Sequence, residues 1–252
     1  MRHSRYRILG LVGQGQFGQV FCAVDRQTGQ LVALKALSYQ RFPTSQFLRE
    51  FRFLVTLKHP NIVACQSLTH TTQGRYLVMD YCAGGTLRNL LKQAGALTLR
   101  EGLQLILGVL AGLDYAHRQG IIHRDIKPEN ILLALGPAGW MPQLSDFGIA
   151  CPRQELPQKQ KMMGSLAYSA PETFYGFDRP TSDLYAVGIV LFELLTGDRP
   201  FTGTPAALTR AHLSQGFQMP SSLPQALQEI LQKALEKLPA RRFAKAPDMA
   251  QA

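Results

Sequence analysis

His123-Arg124-Asp125-Ile126-Lys127-Pro128-Glu129-Asn130, with Asp146-Phe147-Gly148 beginning sixteen residues after Asn130, gathers a great deal of chemistry into a short span. Asp125 offers a carboxylate able to receive a proton from a hydroxyl, and Lys127 adds an ammonium two residues later. Asn130 and Asp146 supply oxygen ligands of the hard kind that magnesium prefers. Either block alone would be a weak signal. In this order and at this separation they are not a chance assembly.

The rest of the chain bounds what surrounds these residues. A length of 252 residues with 46% apolar side chains is enough to bury a sizeable core, in one large domain or two lobes. Cys22, Cys65, Cys82 and Cys151 lie far apart, with no CxxC pair or metal-ligand spacing, so a reduced, cytoplasmic setting is expected. Arg2, Arg5 and Arg7 before Ile8-Leu9-Gly10-Leu11-Val12 imitate a secretion signal, but the apolar run is too short and Gln14 and Gln16 follow at once. The later apolar stretches, Leu103 to Leu113 and Leu184 to Leu195, are interrupted by polar residues and are too short to span a membrane. The formal charge of +10 is spread over scattered residues, without zinc-finger spacing or an aromatic RNA-binding motif. Nucleic acid is therefore not an expected partner.

Along the chain, hydrophobic alternation predicts short strands at Arg7–Leu11, Gln19–Val24, Leu31–Ala36, Ile62–Leu68 and Tyr76–Met79. Between them Phe47, Leu48, Phe51, Leu54, Val55 and Leu57 recur at helical spacing after Pro43-Thr44-Ser45. From Thr86 onward the pattern is helical, notably Leu99 to Arg118, closed by Gly120, and Thr181 to Leu195, closed by Gly197. The expectation is an α+β, bilobal chain: a small antiparallel sheet lobe with one main helix (about 1–79), a join at Asp80 to Gly85, and a larger, mostly helical lobe (about 86–252). Ala134 to Pro142, rich in Gly and Pro and carrying the only tryptophan, predicts a turn, read as a capped hairpin or a partner contact.

Val12, Gly13, Gln14, Gly15, Gln16, Phe17, Gly18, Gln19 and Val20 form a glycine-rich turn whose backbone N–H groups could approach phosphates. A dinucleotide fold would place a helix after the last glycine. Val20 to Val24 reads instead as a strand, which favours a phosphate-covering hairpin, with an ordinary glycine hairpin as the plain alternative. Val32-Ala33-Leu34-Lys35 puts a lysine on the next strand, and Glu50, fifteen residues later on the helix, could hold Lys35 toward nucleotide phosphates. The alternative for Glu50 is a solvated helix face. Asp125 is the expected base, Lys127 the group facing the transferred phosphoryl, and Asn130 and Asp146 the magnesium ligands. His123 and Phe147 read as packing residues.

On these motifs the chain resembles the Hanks-type (eukaryotic-like) serine/threonine protein kinases of bacteria, from Tyr6 to Met249. The resemblance implies a bilobal protein kinase fold and transfer of the gamma phosphoryl group of ATP, with Mg2+, to Ser or Thr hydroxyls of proteins. Lys127 after Asp125 is the serine/threonine form of the loop. Ala170-Pro171-Glu172 resembles the motif ending the activation segment, Asp183 the helix residue that braces the catalytic loop, and Arg242 the partner of Glu172. The resemblance further implies Met79 as gatekeeper, adenine hydrogen bonds from the backbones of Asp80 and Cys82, and a sandwich of the ring by Val20, Ala33 and Leu132. Cys82 is then a pocket-edge thiol, or simply a small apolar filler.

The chain departs from that family after Asp146-Phe147-Gly148. Between Gly148 and Gly164 there is no Ser, Thr or Tyr. The expectation is activity without phosphorylation of this loop, with Glu155 offering the anion that Arg124 would otherwise find in a phosphate; the plain alternative is a disordered loop whose Lys159 and Lys161 are merely solvated. Ser165 stands where the family usually has Thr. The rival readings are a pseudokinase or nucleotide-binding regulatory module of a longer signalling protein, and a small-molecule kinase of related fold. Lys35, Asp125 and Asp146 argue against a pseudokinase, and Ala170-Pro171-Glu172 against a small-molecule kinase; the regulatory module of a longer protein stays open.

Overall fold

The computed structural model describes residues 5–15, 18–37, 54–71, 74–136, 139–147 and 166–252. Five strands, β1 (Tyr6–Gly15), β2 (Gly18–Asp25), β3 (Leu31–Leu37), β4 (Cys65–Thr71) and β5 (Gly74–Asp80), form one antiparallel sheet in the order β1-β2-β3-β5-β4. Alternation sets out one apolar face, where Ala23, Val32, Leu34, Tyr76 and Val78 pack together with Tyr6, while Cys22, Ala33, Lys35 and Leu77 are buried on the other. In β1 the register slips between Ile8 and Gly10 and again between Leu11 and Gly13, irregularities that bend this edge strand.

One expected strand is shorter than its sequence suggests. Ile62–Leu68 reads as a strand throughout, yet β4 begins only at Cys65. Asn61 to Val63 leave the sheet to stitch it to the second lobe: Val63 N–H donates to Leu144 O and Leu144 N–H to Asn61 O, both at 2.9 Å. Periodicity cannot separate a buried stitch from a buried strand, because both hide the same apolar residues. Of the expected helix around Phe47 to Leu57, Leu54 to Thr56 are helical, Leu57 is buried just past its end, and residues 47–53 lie outside the described residues.

After Asp80 the chain turns helical. Helix α1 (Leu87–Ala94) is capped by Thr86, and α2 (Leu99–Arg118) by Thr98, whose hydroxyl and the Glu101 side chain each accept or receive at the other's backbone in a capping box. The face Leu105, Ile106, Val109, Leu110, Leu113 and Ala116 of α2 is buried. It packs on α3 (Pro180–Thr196), which is buried nearly all round and so forms the axis of this lobe. Helices α4 (Pro205–Ser214), α5 (Gln225–Ala234) and α6 (Ala246–Gln251) close around it. Between α2 and α3 a two-stranded hairpin, β6 (Ile131–Gly136) and β7 (Gly139–Leu144), holds Trp140 near its tip. Among the described residues no helix is long and apolar enough to cross a membrane.

Candidate active site

The loop from His123 to Asn130 is held from beneath by α3. Asp183 accepts the N–H of His123 through Oδ2 and that of Arg124 through Oδ1, each at 2.9 Å, and its Oδ2 also meets His117 Nε2 at 2.8 Å. Arg124 has φ of 70°, a left-handed backbone rare for a side chain of this size. Asp183 supplies the hydrogen bonds that offset that strain. His123 is fully buried, its Nε2 2.9 Å from Ser145 O and its ring 4.6 Å from that of Phe147. Burial keeps the imidazole pKa below its usual value, and the ring acts as packing between the two loops.

That packing gathers the expected chemical groups. Lys127 Nζ lies 2.7 Å from Asp125 Oδ2. Asn130 Nδ2 donates to both Asp125 O and Asp125 Oδ2 at 2.8 Å, which leaves the amide oxygen, not the nitrogen, for a cation. Asn130 O in turn accepts Ser145 N–H at 2.9 Å and Ser145 Oγ–H at 3.0 Å, tying Asn130 to the residue before Asp146. Asp146 also has a left-handed backbone, φ 60°. Its carboxylate is ion-paired with Lys35 from β3. Burial pushes the Asp146 carboxyl up, but the Lys35 ammonium outweighs it and holds the pKa below the ordinary value. Asn130 and Asp146 are thus one amide oxygen and one ionised carboxylate on either side of Ser145. That donor set suits magnesium, which keeps several waters and takes the rest of its shell from phosphates. Among the described residues no group of three or more His, Cys, Asp or Glu could hold a metal by itself.

The glycine turn is an antiparallel hairpin, with Gly13 opposite Val20, Gln14 opposite Gln19 and Gly15 opposite Gly18; Gln16 and Phe17 lie outside the described residues. At Gly18, φ is 129° and a Cβ would stand 2.6 Å from Ala36 O, so no other residue fits without moving β3. Val20 pairs with Lys35 and Ala33 with Met79, which sets the hairpin, the lysine and the end of β5 side by side. Val12, also on β1, is half exposed. Asp80 N–H donates to Ala64 O at 3.1 Å. Leu132 bridges to Thr86 below the join. Cys82 is buried, with Sγ 3.1 Å from Gln143 Oε1, and burial, helped by Asp80, pushes the thiol to about 11, which makes it a filler and not a reactive group. Glu50, Gly148, Glu155 and Ser165 lie outside the described residues. Arg124 Nε meets Asp178 Oδ2 at 3.5 Å.

At the far side, Arg242 forks onto Glu172, both nitrogens at 2.7 Å, with its guanidinium over the Tyr185 ring. Sequence reasoning missed two arrangements. Trp140 covers Gly84, where a Cβ would lie 2.4 Å from Trp140 Cζ3 and 2.7 Å from Leu133 O. Arg88 on α1 joins Glu129 to Glu193, contacts separated by 41 and 105 residues that no local pattern announces.

The fold and these loops define a protein kinase catalytic domain. Residues 6–252 match the protein kinase domain family, and the chain belongs to it. It is 37% identical over 268 residues to a probable serine/threonine-protein kinase PknB of Bifidobacterium longum, covering 97% of this chain and 38% of that protein. It is 36% identical to the serine/threonine-protein kinase PrkC of Bacillus subtilis (98% and 39%) and 36% identical to the serine/threonine-protein kinase PknA of Mycobacterium tuberculosis (95% and 58%). The chain therefore spans between about two fifths and three fifths of the length of these relatives.

Proposed function

We propose that this chain transfers the gamma phosphoryl group of ATP to Ser or Thr hydroxyls of proteins. The observation that supports the reading is the run of contacts that joins Lys127 and Asn130 to Asp125, Asn130 to Ser145, and Asp146 to Lys35. Asp125 accepts the proton of the incoming hydroxyl, and Lys127, 2.7 Å away, faces the phosphoryl in flight. Asn130 and Asp146 hold magnesium, which when bound neutralises charge on the phosphate oxygens. Lys35 orients the nucleotide phosphates, steadied by Glu50, while the Val12 to Val20 hairpin covers them. The Asp80 carbonyl and Cys82 N–H hold adenine between Val20, Ala33 and Leu132.

The lobes divide at about residues 80–85. Buried free thiols at Cys22, Cys65 and Cys82 suit a reduced, cytoplasmic setting. Activity needs no phosphate in the loop after Gly148, which has no hydroxyl to carry one before Gly164. The anion facing Arg124 among the described residues is Asp178.

The test is incubation with labelled ATP, magnesium and a generic basic protein, comparing wild type with Asp125→Asn and Asp146→Asn, followed by phosphoamino-acid analysis. Label on Ser or Thr from wild type alone is expected. Equal label from all three overturns the assignment, and loss of wild-type activity after phosphatase treatment overturns the independence from loop phosphate.

A further inference from the structure

Arg88 stands at a junction of four elements. From α1 its Nε donates to Glu129 Oε1 at 2.7 Å, on the short turn that carries Asn130. Its Nη1 donates to Glu193 Oε1 at 2.8 Å, on α3, and its Nη2 donates to the Tyr168 hydroxyl. Tyr168 completes the ring by donating to Glu193 Oε2 at 2.6 Å. One guanidinium is thus shared by two carboxylates and a phenol, so the cluster keeps a net negative charge.

This recess opens beside the chemistry. Glu129 is four residues past Asp125 in the same loop, and its side chain is 45% exposed, whereas that of Glu193 is 6% exposed. Tyr168 belongs both to the Arg88 ring and to a small hollow that it lines with Arg124, Asp125 and Ser169. A peptide whose hydroxyl enters this hollow to reach Asp125 comes up against Tyr168. Two carboxylates and a hydroxyl at that point form a receptor for a guanidinium or ammonium on the peptide. The chain fills that receptor with a side chain of its own.

We propose that Arg88 is a specificity-determining residue: it occupies, from within the chain, an acidic recess of Glu129, Glu193 and Tyr168 beside Asp125, and so removes selection for a basic residue near the phosphorylated Ser or Thr. The inference rests on the phosphotransfer reading above. Wild type accepts peptides with Arg or neutral residues flanking the acceptor almost equally. Removing Arg88 uncovers both carboxylates, and a peptide Arg then takes its place.

The experiment scans Ser peptides carrying a single Arg, or Ala, at each position on either side of the acceptor. Binding is read by fluorescence anisotropy with labelled peptides and turnover by kcat/KM. Arg88→Ala is expected to gain at least about tenfold for Arg at one position, a gain that Glu129→Gln in the same chain removes and that rising salt weakens. In the native background Glu129→Gln leaves peptide preference unchanged, a comparison that does not depend on Arg88→Ala folding. A wild type that already prefers Arg strongly and loses that preference with Glu129→Gln overturns the proposal. So does a folded Arg88→Ala with unaltered preference, since a merely structural role for Arg88 would lower stability and leave peptide choice alone. Anisotropy needs no turnover, so a chain that binds as expected and transfers nothing sinks the kinase reading and not this one.

Discussion

Asp183 Oδ1 accepts the Arg124 N–H at 2.9 Å across 59 residues of sequence, and the peptide unit it holds is the one that turns Asp125 into the cleft. Together with the His123 N–H and His117 Nε2, three donors from two elements end on one buried carboxylate. Asp183→Asn keeps one acceptor oxygen and loses the other. It is expected to cost about 2–4 kcal/mol in urea unfolding and to lower kcat out of proportion, because the left-handed turn at Arg124 relaxes. An unchanged kcat in a folded Asp183→Asn protein would show that the brace does not set the loop.

Asp125 is the residue proposed to receive the proton of the hydroxyl. Asp125→Asn preserves volume and can still pair with the Asn130 amide, so the melting temperature should hold within a few degrees. A fall in kcat of about 10²–10⁴ is expected with little change in KM for ATP. Steady-state kinetics beside a thermal melt separates the two.

Asp146 pairs with Lys35 and is one of the two residues that would hold magnesium. Asp146→Asn removes the charge that the Lys35 ammonium stabilises and one of the two ligands proposed for the metal. The magnesium concentration for half-maximal transfer should rise at least about tenfold. Titration of magnesium at fixed ATP measures it, and an unshifted midpoint argues against metal binding at this carboxylate.

The Glu172–Arg242 pair gives the chain an acid sensitivity. Burial pushes the Glu172 carboxyl up, but hydrogen bonds from Arg242 and Ser182 outweigh it and the folded pKa lies below the model-compound 4.5. A carboxyl depressed on folding stabilises fully above its unfolded pKa and loses that contribution as pH falls through the folded value. Unfolding free energy should therefore drop as the pH is lowered below about 4.5, and Glu172→Gln should flatten that limb. Arg242→Ala, which strands a buried carboxylate, is expected to cost about 3–5 kcal/mol at neutral pH by denaturant titration.

Gly84 allows Trp140 to lie against the segment between β5 and α1. Gly84→Ala places a methyl 2.4 Å from the indole and 2.7 Å from a backbone oxygen, so the hairpin must shift. A loss of about 1–3 kcal/mol and a shift in the emission of the only tryptophan are expected together. Emission identical to wild type would mean the contact is absent in solution.

Much of this site can be read from one dimension. The catalytic loop, the metal carboxylate and the lysine strand are short blocks whose residue types are set by reaction chemistry, so they stand out whatever surrounds them. The strands of the sheet follow from alternation, and the ends of α2 and α3 from Gly120 and Gly197. Reading fails where one pattern serves two outcomes. Ile62 is apolar and buried whether it belongs to a strand or to the stitch onto Leu144.

Sequence alone determined which groups this protein brings to its chemistry: a carboxylate at 125, an ammonium at 127, oxygens at 130 and 146, and a lysine at 35. Tertiary structure alone decided what each of them, and each charge near them, is paired with. Nothing near Glu129 in the sequence names its partner; the fold does, because α1 delivers Arg88 against it and α3 delivers Glu193 to the same guanidinium. Charge pairing acts over a few ångströms of space with no regard for distance along the chain, so which ions are neutralised becomes a property of the folded packing and not of any stretch of sequence.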